Sequence, residues 1–388
     1  MTGKSFGFLP KTKDWCSDGE VVFNTGMVGY PETFTDPSYR GQILVLTYPL
    51  IGNYGVPSDQ ALKQVSRLLE SEKIHLRGLV VSEYSTGHSH WQAKQSLADF
   101  LVKHKIPALQ GVDTRALTQK LREQGVMLGK IVSAEKKFSK TMVFSDPNTN
   151  NLVAEVSCKK REVLEPKEKT KATIALIDCG IKHNILRSFL DRGIRVIRLP
   201  WNYDLSQLDE RYDGLFVSNG PGDPKLAIQA AESVRFAMKA DKPIFGICLG
   251  IQIIALAVGA NTYKLKYGHR SCNQPCTDLK TGRCLITSQN HGYAVDGKTL
   301  PKDWQIWMKN ENDGTVEGIR HKTKPWFAVQ FHPEASPGPE DAAYLFDEFV
   351  GKIVSSASHP SEPERAGKSQ VWAIGEVTHL RLAHETLD

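Results

Sequence analysis

A cysteine placed between two glycines is the first feature of this sequence that could perform chemistry. The segment GICLG, residues 246–250, follows one apolar run and precedes another, which predicts a strand, a tight turn and a helix. The glycines allow such a turn, which would present Cys248 to a helix N-terminus that favours the thiolate. The backbone N–H of Leu249 could then stabilise an oxyanion. On this motif alone, a small buried thiol in the core is the favoured interpretation.

A histidine and a carboxylate follow much later, in the segment FHPE, residues 331–334. His332 and Glu334 are two positions apart, so in extended backbone their side chains lie on the same side. A carboxylate beside an imidazole fixes its tautomer and stabilises the imidazolium that forms when the histidine takes a proton. In isolation, a strand-end histidine with a solvated glutamate is the commoner arrangement. Only the fold can bring this pair to Cys248.

Two further polar segments could bind a substrate near these residues. SNGPGDP, residues 218–224, ends a predicted strand, and its closely spaced glycines let the backbone approach a ligand with its N–H groups. It lacks the pattern of a dinucleotide-binding loop, and no phosphate-binding lysine follows, so a simple strand-to-helix turn is the alternative. QNHGYA, residues 289–294, is interpreted as a polar loop that could offer amide groups.

Short apolar strands alternate with helices from Ala172 onward. TIALID, IRVIRLP, DGLFVSN and PIFGI are predicted as strands, with helices over residues 181–192 and 227–239. A late strand over 326–331 and a closing helix over 341–354 follow. This alternation is typical of a parallel, doubly wound sheet, an α/β fold that binds ligands at the carboxyl ends of its strands.

The first part of the chain is predicted to form a smaller α+β domain. Runs rich in β-branched and aromatic residues predict strands over residues 20–30, 42–50 and 76–84. Asp113 occupies an N-cap position and Gly125 follows the last turn, which marks both ends of a short helix.

Shifts in composition predict the domain boundaries. A segment dense in charge, residues 158–171, is predicted to be an exposed linker between a domain over residues 1–157 and a second domain over residues 172–354. From Ser355 the composition changes to Ser, Pro, Glu and Lys, which predicts a disordered tail over residues 355–388.

The composition is that of a globular protein and excludes several classes of function. The 388 residues carry 49 Lys and Arg against 43 Asp and Glu, and a net charge of +6 over this length is too weak to indicate nucleic-acid binding. Seven scattered cysteines indicate reduced thiols, and the start lacks a signal peptide, so we expect a cytoplasmic protein. Residues 243–260 lack charge but contain a proline, a glutamine and glycines, which predicts a buried strand and helix rather than a membrane span.

Taken in order, these motifs resemble the class I glutamine amidotransferases, which use a cysteine-centred triad. GEVVFNTGMVGY, TDPSY, LTYPLIGN, GVDTRALT, QNHGYAV and QFHPEASPGP narrow the resemblance to the small, glutamine-hydrolysing part of carbamoyl-phosphate synthetase, over residues 5–354. The residues of these motifs are most similar to those in the glutaminase region of the glutamine-dependent animal multifunctional enzyme. The resemblance implies a doubly wound, mostly parallel sheet preceded by the smaller α+β domain.

The resemblance also implies a role for each site residue. Cys248 would attack the glutamine amide, His332 would act as base and then as acid for the departing ammonia, and Glu334 would orient His332. The residues that match substrate-binding positions of the family are Ser38, Gly220, Gly222, Leu249, Gln252, Asn290, Gly292 and Tyr293. Ile251 stands where family members commonly have histidine, but it lies outside the triad, so we expect the chemistry to persist.

The reaction implied is the glutaminase half-reaction of carbamoyl phosphate synthesis, in the pyrimidine or the arginine pathway. Glutamine and water would give glutamate and ammonia through a thioester. No cofactor is expected in this chain, because ATP and magnesium would belong to the synthetase (ATP-grasp) part, acting in trans or lost by truncation. Cys272, Cys276 and Cys284 lie near His269, but their spacing fits no standard zinc site.

Two alternatives to this function stay open at the level of sequence. Another amidotransferase or a γ-glutamyl hydrolase would share the triad but would not need the N-terminal domain. A catalytically weak regulatory or scaffold chain, or a truncated isoform that lacks the synthetase part, would keep the fold. Loss of Cys248 would have favoured the scaffold, and the cysteine is present.

Overall fold

The structure, a computed structural model, describes residues 1–9, 15–58, 65–133 and 143–358. The disordered tail predicted over residues 355–388 is wrong at its start, because residues 355–358 form the end of the closing helix. From position 359 onward it lies outside the described residues. Across these described segments, no helix combines the length and the apolar character that a membrane crossing requires.

The N-terminal unit is built on a six-stranded sheet. The strands of this unit are β1 (Lys4–Ser5), β2 (Cys16–Asn24), β3 (Gln42–Leu46), β4 (Leu50–Ile51), β5 (Val56–Pro57), β6 (Gly78–Val80), β7 (Glu83–Tyr84), β8 (Ala93–Gln95), β9 (Ala108–Gln110) and β10 (Met127–Val132). Its helices are α1 (Tyr30–Thr35), α2 (Leu97–Lys103), α3 (Thr114–Gln124) and α4 (Leu152–Val156). The sheet order is β1-β9-β6-β3-β2-β10, with parallel central strands and an antiparallel strand at each edge.

The C-terminal unit carries a ten-stranded sheet. The strands of this unit are β11 (Glu162–Leu164), β12 (Ala172–Asp178), β13 (Ile194–Pro200), β14 (Gly214–Val217), β15 (Ile244–Ile247), β16 (Asn261–Asp278), β17 (Cys284–Asp296), β18 (Trp304–Asn310), β19 (Val316–His321) and β20 (Trp326–Val329). Its helices are α5 (His183–Leu190), α6 (Ile228–Lys239), α7 (Leu249–Ala257) and α8 (Tyr344–Ser358). The order is β11-β13-β12-β14-β15-β20-β19-β18-β16-β17. The five strands from β13 to β20 run parallel, as predicted.

Apolar side chains cover both faces of the parallel strands. On one face Phe216, Phe245 and Phe327 are at most 1% exposed and pack with α5 and α8. On the other face Leu215 and Ala328 pack with α6 and α7. Continuous apolar runs are typical of strands buried on both faces. This core holds the carboxyl ends of β14, β15 and β20 at one edge of the sheet.

The helix predicted from Asp113 to Gly125 is confirmed. The Asp113 carboxylate accepts a hydrogen bond from the backbone N–H of Ala116 at 2.9 Å, and Gly125 follows the helix with φ 94°. The strand predicted over residues 20–30 is wrong at its end, because β2 stops at Asn24 and α1 begins at Tyr30. A proline in the first turn favours a helix start there.

Two further predictions need correction in the second half of the chain. The charged segment 158–171 is not only a linker, since its residues Glu162–Leu164 form β11, which pairs with β13 at the sheet edge. QNHGYA is not a loop, since it lies within β17, which pairs with β16 in a long hairpin. The strands from β16 to β19 were not predicted, because charged and polar residues interrupt their apolar alternation.

Candidate active site

Cys248 occupies the tight turn between β15 and α7. Its backbone has φ 56° and ψ −104°, a conformation that is strained for any residue other than glycine. The backbone N–H of Cys248 donates to the carbonyl of Val329 at 2.9 Å, which ties the turn to β20. A Cβ atom on Gly250 would lie 2.2 Å from the carbonyl oxygen of Val217, so only glycine fits there. The turn therefore fixes where the sulfur lies.

His332 and Glu334 form a buried pair directly after β20. The Nδ1 atom of His332 lies 2.6 Å from Oε1 of Glu334, and the backbone N–H of His332 donates to Ser288 at 2.8 Å. Burial opposes protonation, but the Glu334 carboxylate and the Cys248 sulfur raise the pKa of His332 to about 10. The structure thus brings together the three residues that the sequence predicts as a triad.

Lys182, which the sequence analysis missed, neutralises the carboxylate of this pair. Its Nζ lies 3.1 Å from Oε1 of Glu334, with 4% and 0% of the two side chains exposed. Burial favours the protonated acid, but Lys182 and His332 lower the pKa of Glu334 to about 2. In the sequence, Lys182 lies at the start of the helix predicted over residues 181–192, where a lone lysine usually reaches solvent.

A cleft of about 490 Å³ opens at Cys248. Besides Cys248, it is lined by all eight residues predicted to bind substrate, namely Ser38, Gly220, Gly222, Leu249, Gln252, Asn290, Gly292 and Tyr293. The side chain of Gln252 is 98% buried, and its Nε2 donates to the carbonyl of Tyr293 at 3.0 Å. Its Oε1 is buried and has no hydrogen-bond partner among the described residues.

The N-terminal unit supplies part of the cleft wall. Ser38 lies in a short turn of 3₁₀ helix, Pro37–Tyr39, and its hydroxyl accepts a hydrogen bond from Asn219 Nδ2 at 3.0 Å. The carboxylate of Asp36 accepts from Asn290 Nδ2 at 2.9 Å. These contacts join the two units at the site, and Asp36 stands within the motif TDPSY without having been assigned a role.

The glycines of the segment SNGPGDP line the cleft together with Cys248. A Cβ atom on Gly220 would lie 2.1 Å from the carbonyl oxygen of Cys179, and Gly222 has φ 83°. Leu249 is the first residue of α7, where backbone N–H groups have no partner within the helix. Such an N-terminus favours a developing negative charge.

Among the described residues, the cysteines near His269 do not form a group of possible metal ligands. In the same part of the chain, the group of possible ligands within 4.8 Å of one another is His269, His291 and Glu317, which contains no cysteine. His269 Nε2 lies 2.9 Å from Asp313 Oδ2. His291 Nδ1 lies 2.9 Å from the carbonyl oxygen of Tyr293. Both partners lie outside the group, and within it His269 Nδ1 lies 3.6 Å from Glu317 Oε1. The group is therefore a buried polar cluster whose members are paired with neighbouring residues.

Two protein-family models match separate parts of the chain. Residues 175–352 match "Glutamine amidotransferase class-I". Residues 1–131 match "Carbamoyl-phosphate synthase small chain, CPSase domain".

Carbamoyl-phosphate synthase small chains and multifunctional proteins are similar to this sequence over most of its length. The carbamoyl phosphate synthase arginine-specific small chain of Neurospora crassa is 51% identical over 338 residues, covering 86% of this chain and 74% of that protein. Its counterpart from Aspergillus oryzae is 47% identical over 367 residues, covering 92% and 80%. Multifunctional protein CAD of Squalus acanthias is 51% identical over 335 residues, covering 86% of this chain. The chain spans between 15% and 20% of the length of five multifunctional relatives. By identity and coverage, the chain belongs to the carbamoyl-phosphate synthase small-chain family, with a class I glutamine amidotransferase region behind the small-chain domain.

Proposed function

We propose that this chain hydrolyses the side-chain amide of glutamine and supplies the ammonia for carbamoyl phosphate synthesis. The observation that carries the proposal is the buried His332–Glu334 pair, 2.6 Å apart, beside the cysteine of a strained strand-to-helix turn. A carboxamide is a poor electrophile, so its hydrolysis needs a strong nucleophile, a proton donor for ammonia and an oxyanion site. Cys248, His332 and the backbone N–H groups at the start of α7 are the candidates for these three functions.

The first step forms a γ-glutamyl thioester. The Cys248 sulfur, whose proton passes to His332, attacks the side-chain carbonyl carbon (Cδ) of glutamine, and the carbonyl oxygen takes the negative charge. Backbone N–H groups at Leu249 and Gly220 stabilise this oxyanion. When the tetrahedral intermediate collapses, the C–N bond breaks and His332 returns its proton to the leaving nitrogen, which departs as ammonia.

The second step regenerates the cysteine. His332 takes a proton from water, and the resulting hydroxide attacks the thioester carbon. The C–S bond then breaks to release glutamate, and His332 returns the proton to the departing sulfur. Throughout, Glu334 holds the imidazole in one tautomer and stabilises its charged form. Side chains, backbone N–H groups and water suffice for this chemistry, so the mechanism assigns no metal or organic cofactor to this chain.

The nucleophile is tested by comparing two cysteine variants. Cys248→Ser keeps the shape of the site but replaces the sulfur with a weak nucleophile, so glutamate release should fall at least about a thousand-fold while glutamine still binds. Cys284→Ser, at an exposed thiol outside the cleft, is the matched control and should keep the wild-type rate. Near-normal turnover by Cys248→Ser would refute the triad.

We further infer that a carbamoyl-phosphate synthetase part, which would hold ATP and magnesium, is the functional partner. The residues of the site come from the ends of several strands and from both units, so a small docking shift could align or misalign them. Adding the matching synthetase with ATP and bicarbonate should therefore raise kcat more than it lowers KM. If the partner binds and the rate of glutamate release does not change, the coupling is refuted and the chain is an independent glutaminase.

A further inference from the structure

Two histidines and a glutamate form a buried cluster beside the cleft that the proposed mechanism does not use. His269 lies on β16, His291 is its register partner on β17, and Glu317 lies on β19. Each of the three is at most 8% exposed. One possible ligand atom from each lies within 4.8 Å of the other two. The cluster therefore brings side chains from three strands of the C-terminal sheet to one point.

Each histidine is held by an acceptor outside the cluster. His269 Nε2 lies 2.9 Å from the Asp313 carboxylate, and His291 Nδ1 lies 2.9 Å from the carbonyl oxygen of Tyr293. Carboxylate and carbonyl oxygens accept hydrogen bonds, so these two ring nitrogens carry the protons. In the neutral rings, His269 Nδ1 and His291 Nε2 then carry lone pairs. Metal-binding histidines are oriented in the same way, by donating the outer N–H to a carboxylate or a backbone carbonyl.

The atoms that face one another inside the cluster are acceptors. Oε1 of Glu317 lies 3.6 Å from His269 Nδ1 and 3.8 Å from His291 Nε2, and both distances are too long for a hydrogen bond. His291 Nε2 also lies 3.1 Å from Oε1 of Gln289. His269 Nδ1 and Glu317 Oε2 are buried without a hydrogen-bond partner among the described residues. Buried acceptors that lack donors are unfavourable, so a cation between them would stabilise the cluster.

The spacing and the types of these atoms suit a zinc ion. Zinc binds histidine nitrogen and carboxylate oxygen at about 2.0–2.2 Å in a tetrahedron, which separates neighbouring ligand atoms by roughly 3.3–3.6 Å. The separations of 3.1, 3.6 and 3.8 Å in the cluster lie around this range. The two imidazoles and the carboxylate supply three ligands, and the Gln289 amide oxygen lies beside them as a fourth. Magnesium and calcium prefer a larger set of oxygen ligands, so the cluster favours a transition metal.

We propose that His269, His291 and Glu317 bind one divalent transition-metal ion, for which zinc is the best match. The inference goes beyond the glutaminase function and does not rest on it, because none of the three residues acts in that reaction. The ion would be structural and would tie β16, β17 and β19 together. His291 stands between Asn290 and Gly292, which line the cleft, so the ion would also stabilise the strand that carries them.

A proton is the other cation that could stabilise the cluster. Burial opposes protonation of His269, but the neighbouring Glu317 and Asp313 carboxylates raise its pKa, so an imidazolium competes with a metal ion. The two cations differ in a measurable way, because a cluster closed by a proton does not retain zinc. The Asp313 side chain is 40% exposed and contacts His269, which gives an entering ion a short route from solvent.

The test measures zinc affinity by calorimetry and zinc content after dialysis, on the full chain in the Cys248→Ser background. This background removes the thiol that could bind zinc together with His332, and the other thiols contribute equally to every variant. Glu317→Gln keeps the shape of the side chain but removes the ligand charge, and should weaken zinc binding by more than about 100-fold. Asp313→Asn, which acts through His269, should weaken it roughly 10- to 100-fold.

His321→Gln is the matched control. His321 lies on the same strand as Glu317, and its Nε2 lies 3.1 Å from Asp303 Oδ2, as His269 lies beside Asp313. However, its Nδ1 accepts a hydrogen bond from the backbone N–H of Lys324 at 2.9 Å, so no lone pair is left for a metal. This variant should keep the affinity for zinc. Thermal unfolding is the second readout, in which zinc but not magnesium should raise the unfolding temperature.

Each outcome decides the proposal. A zinc ion that the His321→Gln control retains and Glu317→Gln loses would support the site. A chain that retains no zinc at micromolar concentration, with an unchanged unfolding temperature, would overturn it and assign the cluster to a proton. Equal zinc affinity in Glu317→Gln and the control would place the ion elsewhere and overturn it as well. If Glu317→Gln does not fold, the comparison of Asp313→Asn with the control decides.

Discussion

Replacing Lys182 with methionine is the sharpest perturbation of the proposed triad that leaves the triad itself intact. Lys182 and Glu334 are in contact at 3.1 Å, and neither side chain is more than 4% exposed. Methionine has a similar length and an apolar stem, so Lys182→Met removes the charge with little change in packing. The variant leaves the Glu334 carboxylate buried with one cationic neighbour fewer.

The structure sets the expected size of the effect. Removing one partner of a buried ion pair costs about 3–5 kcal/mol of stability, because the other charge stays buried without compensation. Glu334 keeps His332 at 2.6 Å, which retains part of its stabilisation. We therefore expect the free energy of unfolding at neutral pH to fall by an amount near the lower end, about 3 kcal/mol.

The effect should depend on pH in a defined direction. In the folded wild type the pKa of Glu334 is about 2, below its ordinary value of 4.5. The ionised Glu334 therefore stabilises the fold above pH 4.5, and this contribution is lost as the pH falls through 2. In Lys182→Met, the ammonium no longer offsets the effect of burial, so the pKa of Glu334 rises. Acidification therefore removes less stability from the variant than from the wild type. The deficit of the variant should be largest at neutral pH and should decrease below pH 4.5.

The assay is urea unfolding followed by tryptophan fluorescence at pH 7 and at pH 4. Lys324→Met is the matched control, because Lys324 contacts Asp241 at 2.7 Å on the surface, where both side chains are more than 40% exposed. An exposed pair contributes less than about 1 kcal/mol, so this variant should stay close to the wild type at both pH values. A Lys182→Met deficit no larger than that of the control, or one that grows on acidification, would refute the reasoning.

Three further predictions concern the same site. Gly220→Ala should abolish glutamate release, because its Cβ would lie 2.1 Å from a backbone oxygen. In the control Gly351→Ala, in α8, the new Cβ meets nothing within 4 Å, so this variant should keep the rate and gain up to about 1 kcal/mol of stability. Equal rates of glutamate release in the two variants would contradict this prediction. In single-turnover experiments His332→Asn should cost far more than Glu334→Gln, because histidine moves the proton and glutamate orients it; equal losses would give Glu334 a larger role. Glu70→Gln removes the charge of a buried carboxylate that accepts a hydrogen bond from Ser336, two residues after Glu334. It should lower kcat about tenfold and change KM less than twofold, and an effect on KM alone would contradict a role of Glu70 in positioning the triad.

The parallel part of the fold follows from local sequence. Each central strand is a short apolar run that is buried on both faces, and each ends in a polar or glycine-rich segment, so strand positions and the turn at Cys248 are predictable without knowledge of the rest. The ends of α3 are predictable for the same reason, because Asp113 and Gly125 act within a few residues of themselves.

The charged residues of the site are not predictable in this way. Lys182 contacts a carboxylate that lies 152 positions later in the chain (334 − 182). Arg270, which lines the cleft with Cys248, has room for its guanidinium because residues 268 and 292 are glycines. A lone lysine or arginine in a sequence usually indicates a solvated face. Its burial depends on partners that only the completed fold supplies, so composition and periodicity carry no signal for it.

The N-terminal unit is joined to the triad by buried carboxylates rather than by apolar contact alone. Glu70, which is fully buried, accepts hydrogen bonds from Ser336 Oγ and from Arg187 Nη2, each at 2.7 Å. Ser336 follows Glu334 by two residues, and Asp36 binds the strand that carries Asn290. A buried carboxylate that loses its donors costs several kcal/mol, so these bonds fix the position of the triad and the attachment of the N-terminal unit together. A partner that shifts the N-terminal unit would therefore move the groups that hold His332 and the substrate, and this gives docking a physical route to the rate of glutamine hydrolysis.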